Sequence, residues 1–292
     1  MINFNNTILQ ARFLAKNNWL QAVKILEEAI HNNPTSIDLL FELADLYLIK
    51  NVPKKALNAY QNILKIDNNN SIALFKTGNI YLEIAEPKLA IHHYDRISEF
   101  HPEAIFNKAL ALYKLKKFHE AIDILQILEK NNYLNEHTYY FIIELFFIID
   151  KNDEALQYIN KAEMILGKTY QLHYMKGFVF SKQKNWLAAY CEYLNALPGL
   201  EKNAKLHQVL GITAENIGQS EKAIQHLVDG LKIVPQEEFM ISDLISILVK
   251  NNYVDSIDEL NKFLDHLNIN PDTSKIAKKY YKNFIKKNES NY

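Results

Sequence analysis

Few residues of this 292-residue chain have the types and spacing that catalysis requires. His92 and His93 are adjacent, but neighbouring positions on a helix do not face one another, so they make no metal or acid–base pair. Cys191 is the single cysteine, which excludes an intrachain disulfide and a thiolate-rich zinc site. It lies one residue past Tyr190, beside a small-residue packing position, and reads as a buried structural thiol. No His-Glu-x-x-His, glycine-rich phosphate loop, nucleophile elbow or cysteine pair occurs. These residues point away from an enzyme and call for no metal or cofactor.

The elements available to hold a site are helices. The chain has 7 Gly and 7 Pro, where average usage of about 7% and 5% would give roughly 20 and 15. So few chain-breakers leave little for β-hairpins, phosphate loops or a nucleotide-binding crossover. With 48% hydrophobic and 23% charged residues it is neither disordered nor a membrane bundle. A net charge of -1 supplies no global basic field for nucleic acid or anionic lipid. Residues 1–16 hold no apolar run of signal-peptide length. The most apolar stretch, Tyr139 to Ile149, is 11 residues long and contains Glu144, whereas a membrane span needs about 20. A cytoplasmic protein with no membrane span and no nucleic-acid partner is expected. In that setting the sequons Asn5-Asn6-Thr7 and Asn288-Glu289-Ser290 are chance, and Asn-rich tracts such as Asn68-Asn69-Asn70 mark turns.

A period runs through the chain. A small residue followed four positions later by a bulky one recurs as Ala22/Leu26, Ala56/Tyr60, Ala90/Tyr94, Ala121/Leu125, Ala155/Ile159, Ala189/Tyr193, Ala223/Leu227 and Ser256/Leu260. The small positions are 34, 34, 31, 34, 34, 34 and 33 residues apart. Twelve residues before each stands a second series: Gln10, Ala44, Gly78, Ala109, Ile143, Gly177, Gly211 and Leu244. A small residue on each of two consecutive helices lets their backbones approach, while bulky neighbours fill the flanks. Pro53 and Pro87 suit the first turn of the second helix, where a missing N–H costs nothing. Each unit is a helix–turn–helix that must stack on its neighbours to bury its apolar face.

At these residues the chain resembles the tetratricopeptide-repeat family. The third unit keeps Leu74, Gly78, Tyr81, Ala90, Tyr94 and Pro102; the first keeps Leu9, Phe13, Ala22, Leu26, Ala29 and Pro34. The seventh keeps Leu210, Gly211, Ala223, Leu227 and Pro235. Ile143 and Leu244 replace the small residue, Gly230 replaces the second Ala, and one spacing is three short, which marks unusually packed junctions. The RNA-reading pentatricopeptide repeats have a similar length, but the Gly/Ala–Ala signature and neutral charge do not favour them. The resemblance implies an all-α, right-handed α-solenoid: about eight repeats over residues 3–270, followed by a capping helix and basic tail over 271–292.

The resemblance also implies a concave groove lined by first helices, with groove residues at set offsets before the small anchor. Fifteen before it the chain reads Thr7, Phe41, Phe75, Phe106, Tyr140, Tyr174, Gln208 and Ile241. Eleven before it come Ala11, Asp45, Asn79, Leu110, Glu144, Phe178, Ile212 and Ile245, and eight before it Tyr113 and Phe147 fall in the fourth and fifth units. Rigid aromatic anchors with a few polar groups suit a protein or peptide segment. The expected groove is Phe41, Phe75, Asn79, Phe106, Tyr113, Tyr140, Glu144, Phe147, Tyr174 and Phe178, centred on Phe75, Phe106, Tyr140 and Tyr174. The competing reading of the ladder is that its rings are core. Asn79 offers a donor and an acceptor to a peptide backbone, and Glu144 favours Arg or Lys. The Lys/Asn/Arg clamp by which some family members hold acidic chaperone C-termini is absent, since Phe and Tyr occupy the lysine offset.

After Pro271 an apolar stripe of Ile276, Ala277, Tyr280, Tyr281, Phe284 and Ile285 is ringed by Lys275, Lys278, Lys279, Lys282, Lys286 and Lys287. Asp272 or Thr273 is expected to cap this helix. It reads as a cover for the last repeat, with a basic amphipathic surface as the alternative. For the whole chain the expectation is a non-catalytic adaptor or scaffold, monomeric or within a multiprotein assembly. The alternative is a structural subunit that self-associates or docks through the apolar 139–149 helix.

Overall fold

The computed structural model describes residues 5–267 and 269–289, with side chains as far as Lys286. Residues 3 and 4 of the expected array, the Lys287 side chain and the Asn288–Ser290 sequon therefore lie outside it. Among the described residues no strand occurs. The chain divides into two compact units, Met1–Thr138 and Tyr139–Tyr292. The first holds four hairpins: α1 (Asn5–Ala15) with α2 (Trp19–Asn32), α3 (Ile37–Ile49) with α4 (Pro53–Ile66), α5 (Ser71–Glu83) with α6 (Pro87–Tyr94), and α7 (Pro102–Lys114) with α8 (Phe118–Lys130). Helix α9 (Glu136–Ile148) begins just before the second unit and belongs mainly to it. There follow α10 (Asn152–Leu166), α11 (Tyr170–Lys182) with α12 (Trp186–Ala196), and α13 (Ala204–Asn216) with α14 (Ser220–Ile233). The unit ends with α15 (Glu238–Lys250), α16 (Ile257–His266) and α17 (Pro271–Glu289).

The connectors inside a hairpin are short because one residue turns left-handed. Asn51, Ala85, Lys116, Asp150 and Lys184 have φ between 55° and 61°, and Gly218 has φ 78°. All six stand five residues before the small anchor. The next residue's N–H then reaches back across the helix end: Val52 N to Tyr47 O at 2.8 Å, Glu86 N to Tyr81 O at 2.8 Å, Gln219 N to Ala214 O at 2.9 Å. This closes the last turn and leaves the chain ready to start the second helix. Between hairpins, side chains open the next helix. Asn70, His101, Thr169 and Asn203 each accept a hydrogen bond from the backbone N–H three residues on.

The small positions act as the spacing implies. A Cβ on Gly78 would strike the Tyr94 ring, one on Gly177 would lie 2.7 Å from Tyr193 Cδ1, and one on Gly211 would lie 2.7 Å from Leu227 Cγ. The bulky residue four past the anchor thus lies flat on the first helix. Of the larger residues in this series Ile143 and Leu244 are buried all the same, while Gln10 of the first repeat is exposed.

The three-residue deficit between the third and fourth repeats is a missing helical turn. Helix α6 has 8 residues, against 14 in α4 and 13 in α8. Residues 95–101 cross directly to α7 and leave an open cleft of about 420 Å³ walled by Tyr94, Ile97, Phe100, Ile105 and Ile127. Lys108 pairs with Asp95 at its rim, 2.5 Å apart.

Helix α17 lies against α15 with Ala277 and Tyr281 buried, as the apolar stripe requires. Its start differs from expectation: Asn270 Oδ1 accepts from Asp272 N at 2.9 Å, so Asn270, ahead of Pro271, is the cap. Thr273 instead donates its hydroxyl to the Pro235 carbonyl, which ties α17 to the loop before α15. No described helix is long and apolar enough to cross a membrane.

Candidate functional site

Of the ten expected site residues, five lie in the first unit and five in the second. In the first, Phe41, Phe75, Asn79 and Phe106 are half-buried and Tyr113 is exposed. The Phe41 ring meets Tyr60 edge-on at 6.0 Å between centroids, and Phe75 meets Tyr94 at 6.4 Å and His101 at 4.5 Å. Each phenylalanine is therefore held on one side by the tyrosine of its own hairpin, four residues past the small anchor. Tyr113 packs on Phe118 at 5.8 Å.

The same tyrosines explain the polar residues beside the rings. Tyr60 donates its hydroxyl to Asp45 Oδ1 at 2.6 Å, and Tyr94 donates to Asn79 Oδ1 at 2.7 Å. Asn107 Nδ2 adds a second donor to Asn79 Oδ1 at 2.9 Å. The acceptor that Asn79 was expected to offer a ligand is thus occupied within the chain, and its NH₂ is the end left for recognition. Burial of the phenols, reinforced for Tyr60 by the Asp45 carboxylate, pushes both far above the ordinary tyrosine range, so they act only as neutral donors. At the start of the unit Arg12 grips Glu42 with two guanidinium nitrogens, at 2.9 Å and 2.7 Å.

In the second unit, Tyr140, Phe147, Tyr174 and Phe178 are half-buried and Glu144 is exposed. Phe147 and Phe178 touch across α9 and α11 with centroids 4.6 Å apart. Tyr174 leans on Tyr193 at 5.7 Å, repeating the arrangement of the first unit. The Tyr140 and Thr169 hydroxyls are 2.8 Å apart. Lys182 Nζ lies 5.4 Å from the Phe178 centroid. Although the Glu144 side chain reaches solvent, burial raises its carboxyl above the usual range.

Several neighbours carried no clear signal in the sequence. Gln208, where the aromatic series breaks, is buried; it accepts from Lys205 Nζ at 2.8 Å and donates to Asp243 Oδ2 at 2.8 Å. Lys205 and Gln208 border an open cleft of about 790 Å³ that also takes in Lys202, Asn203 and Met240. Helix α11 is tied on both sides, Lys176 to Glu163 at 3.1 Å and His173 to Glu192 at 2.6 Å. The partner of each pair lies on a different helix, so spacing along one helix could not reveal them.

One expected residue is corrected. Cys191 is exposed, not buried. Two residues past Ala189 is about 200° around the helix, which turns the thiol away from the packing seam. Helix α9 also spends most of its apolar character internally: Tyr139, Ile142, Ile143, Leu145 and Phe146 are buried, and Ile148 is the exposed one. Among the described residues no group of three His, Cys, Asp or Glu is placed to hold a metal ion.

A family model described as tetratricopeptide repeat matches residues 103–132, which spans the α7–α8 hairpin. A curated TPR repeat-containing protein of Methanocaldococcus jannaschii is 23% identical over 202 residues, 69% of this chain. The chain spans 30% of the length of that relative. Among solved structures, the C-terminal part of a TPR repeat-containing protein from Cytophaga hutchinsonii is similar at TM-score 0.66 and 13% identity. That match covers 81% of this chain and 99% of the other. Pseudomonas aeruginosa pilF is similar at TM-score 0.57 and 16% identity, over 73% of this chain and 97% of that one. At these identities the likeness is one of fold.

Proposed function

We propose, from the tetratricopeptide-repeat match over residues 103–132 and the likeness in fold to repeat proteins of that kind, that the chain is a non-catalytic scaffold whose first-helix faces bind a protein or peptide segment. One observation carries this reading. At the same repeat offset, Phe41, Phe75 and Tyr174 are half-buried rings, each braced from behind by a tyrosine of its own hairpin. A braced ring with an open edge presents apolar area without the entropy cost of ordering it on binding. Phe75, Phe106, Tyr140 and Tyr174 are the proposed anchors, and the binding faces of the two units are proposed unit by unit. The docking alternative through residues 139–149 draws no support from α9, whose apolar side chains are largely used within the fold.

The test is affinity capture from native lysate with the wild-type chain beside a Phe75→Ala/Phe106→Ala/Tyr140→Ala variant, with circular dichroism on both. The expected result is unchanged helical content and loss of the captured partner. Retention of the partner by the folded variant, or loss of helicity and aggregation, removes the anchor role.

A further inference from the structure

The polar residues eleven before the small anchor form a series with one odd member. Asp45 and Asn79 each receive the hydroxyl of the tyrosine four past the anchor, Tyr60 at 2.6 Å and Tyr94 at 2.7 Å. In the fifth repeat the acid is Glu144, and the position four past the anchor is Ile159, which is buried and has no hydroxyl to give. Partial desolvation raises the Glu144 carboxyl, and among the described residues no hydrogen bond or cation offsets it. Its surroundings are aromatic. Tyr140 and Phe147 lie one turn before and one turn after it on α9. Phe147 packs on Phe178 at 4.6 Å, and Phe178 holds the same offset in the next repeat. The Lys182 ammonium already stands over the Phe178 ring.

An exposed carboxylate flanked by rings and not engaged by a tyrosine of its own hairpin is open to pair with a cation from outside. Such a cation also gains from the ring faces around it. We propose that the α9–α11 face of the second unit binds an arginine or lysine side chain of a partner segment, with the cation on Glu144 and its stem against Phe147 and Phe178. The inference rests on the scaffold reading above and names the chemistry that one of its faces selects.

The experiment uses the whole chain, carbon-13 labelled in phenylalanine and tyrosine, and three synthetic twelve-residue peptides. They share a Leu/Ser/Phe sequence and differ at one central residue: arginine, its neutral isostere citrulline, or glutamate. The expected result is that the arginine peptide shifts the Phe147 and Phe178 resonances and binds about tenfold or more tightly than the citrulline peptide. Glu144→Gln should abolish that difference, and Glu144→Asp, which keeps the charge, should retain it. Equal binding of the arginine and citrulline peptides at Phe147 and Phe178 overturns the cation preference and leaves the scaffold reading standing. Tighter binding of the glutamate peptide likewise overturns it. Millimolar peptide of every kind with no shift at either ring counts against both.

Discussion

The Tyr94 hydroxyl donates a 2.7 Å hydrogen bond to Asn79 Oδ1 across the two helices of one hairpin, while its ring lies over Gly78. One side chain thus sets the spacing of the helices, braces Phe75 and engages a polar residue of the proposed binding face.

Removing only the hydroxyl separates these roles. Tyr94→Phe should cost about 1 kcal/mol, the net value of one such bond, because Asn107 still supplies Asn79 with a donor. Tyr94→Ala should cost about 3–4 kcal/mol as a buried ring is lost. Urea denaturation of the two variants checks the ratio, and equal losses would show that the ring carries no separate weight.

Close approach makes the opposite substitution informative. In Gly177→Ala the new methyl would meet Tyr193 Cδ1 at 2.7 Å, so that ring or the helix must shift, at about 1–3 kcal/mol. Thermal melts should show a clear drop, and an unchanged midpoint would mean the α11–α12 seam is looser than described.

The hairpin turns predict gains instead. Ala85 and Lys184 are non-glycine residues at φ 61° and 57°. Ala85→Gly and Lys184→Gly should each stabilise by up to about 1 kcal/mol, the left-handed penalty less the extra glycine entropy. Gly218, at φ 78° in the equivalent turn, should lose a similar amount as Gly218→Ala. Melting midpoints that fall in the two glycine variants would contradict the turn assignment.

Acid should act through His93. Its ring stacks on Tyr81 at 5.4 Å, and burial, aided by His92 and Arg96, lowers its pKa to about 4 from an ordinary 6.5. Between these values the folded chain keeps it neutral while the unfolded chain protonates it. The stability it lends is therefore complete above pH 6.5 and is lost as the pH falls towards 4. The melting midpoint of the wild type should drop more steeply over that window than that of His93→Gln, and parallel profiles would exclude the effect.

Much of this was legible in the sequence because period and size are local. The Ala/Gly series, Pro53 and Pro87 specify hairpins directly, and the helices begin where those prolines stand. The three-residue deficit was visible too, but which helix lost its turn depended on the path of residues 95–101. The pairing of Asp45 with Tyr60 is hidden in the sequence because its two residues belong to different helices and to different repeat offsets. Proximity along the chain does not give the side of the helix for Cys191, because two residues past Ala189 suffice to cross from seam to solvent. The Gln208–Asp243 link likewise joins separate hairpins, and a break in the aromatic ladder was its one trace.

The central claim is that partners contact first-helix faces, and photo-crosslinking reads this most directly. Benzoylphenylalanine is placed singly at Phe106 or Phe178, on first helices α7 and α11, and at Lys24 or Gln225, exposed on second helices α2 and α14. After illumination in native lysate, covalent adducts should form from Phe106→benzoylphenylalanine and Phe178→benzoylphenylalanine and not from the two second-helix sites. Adducts from Lys24 and Gln225 alone would contradict the account.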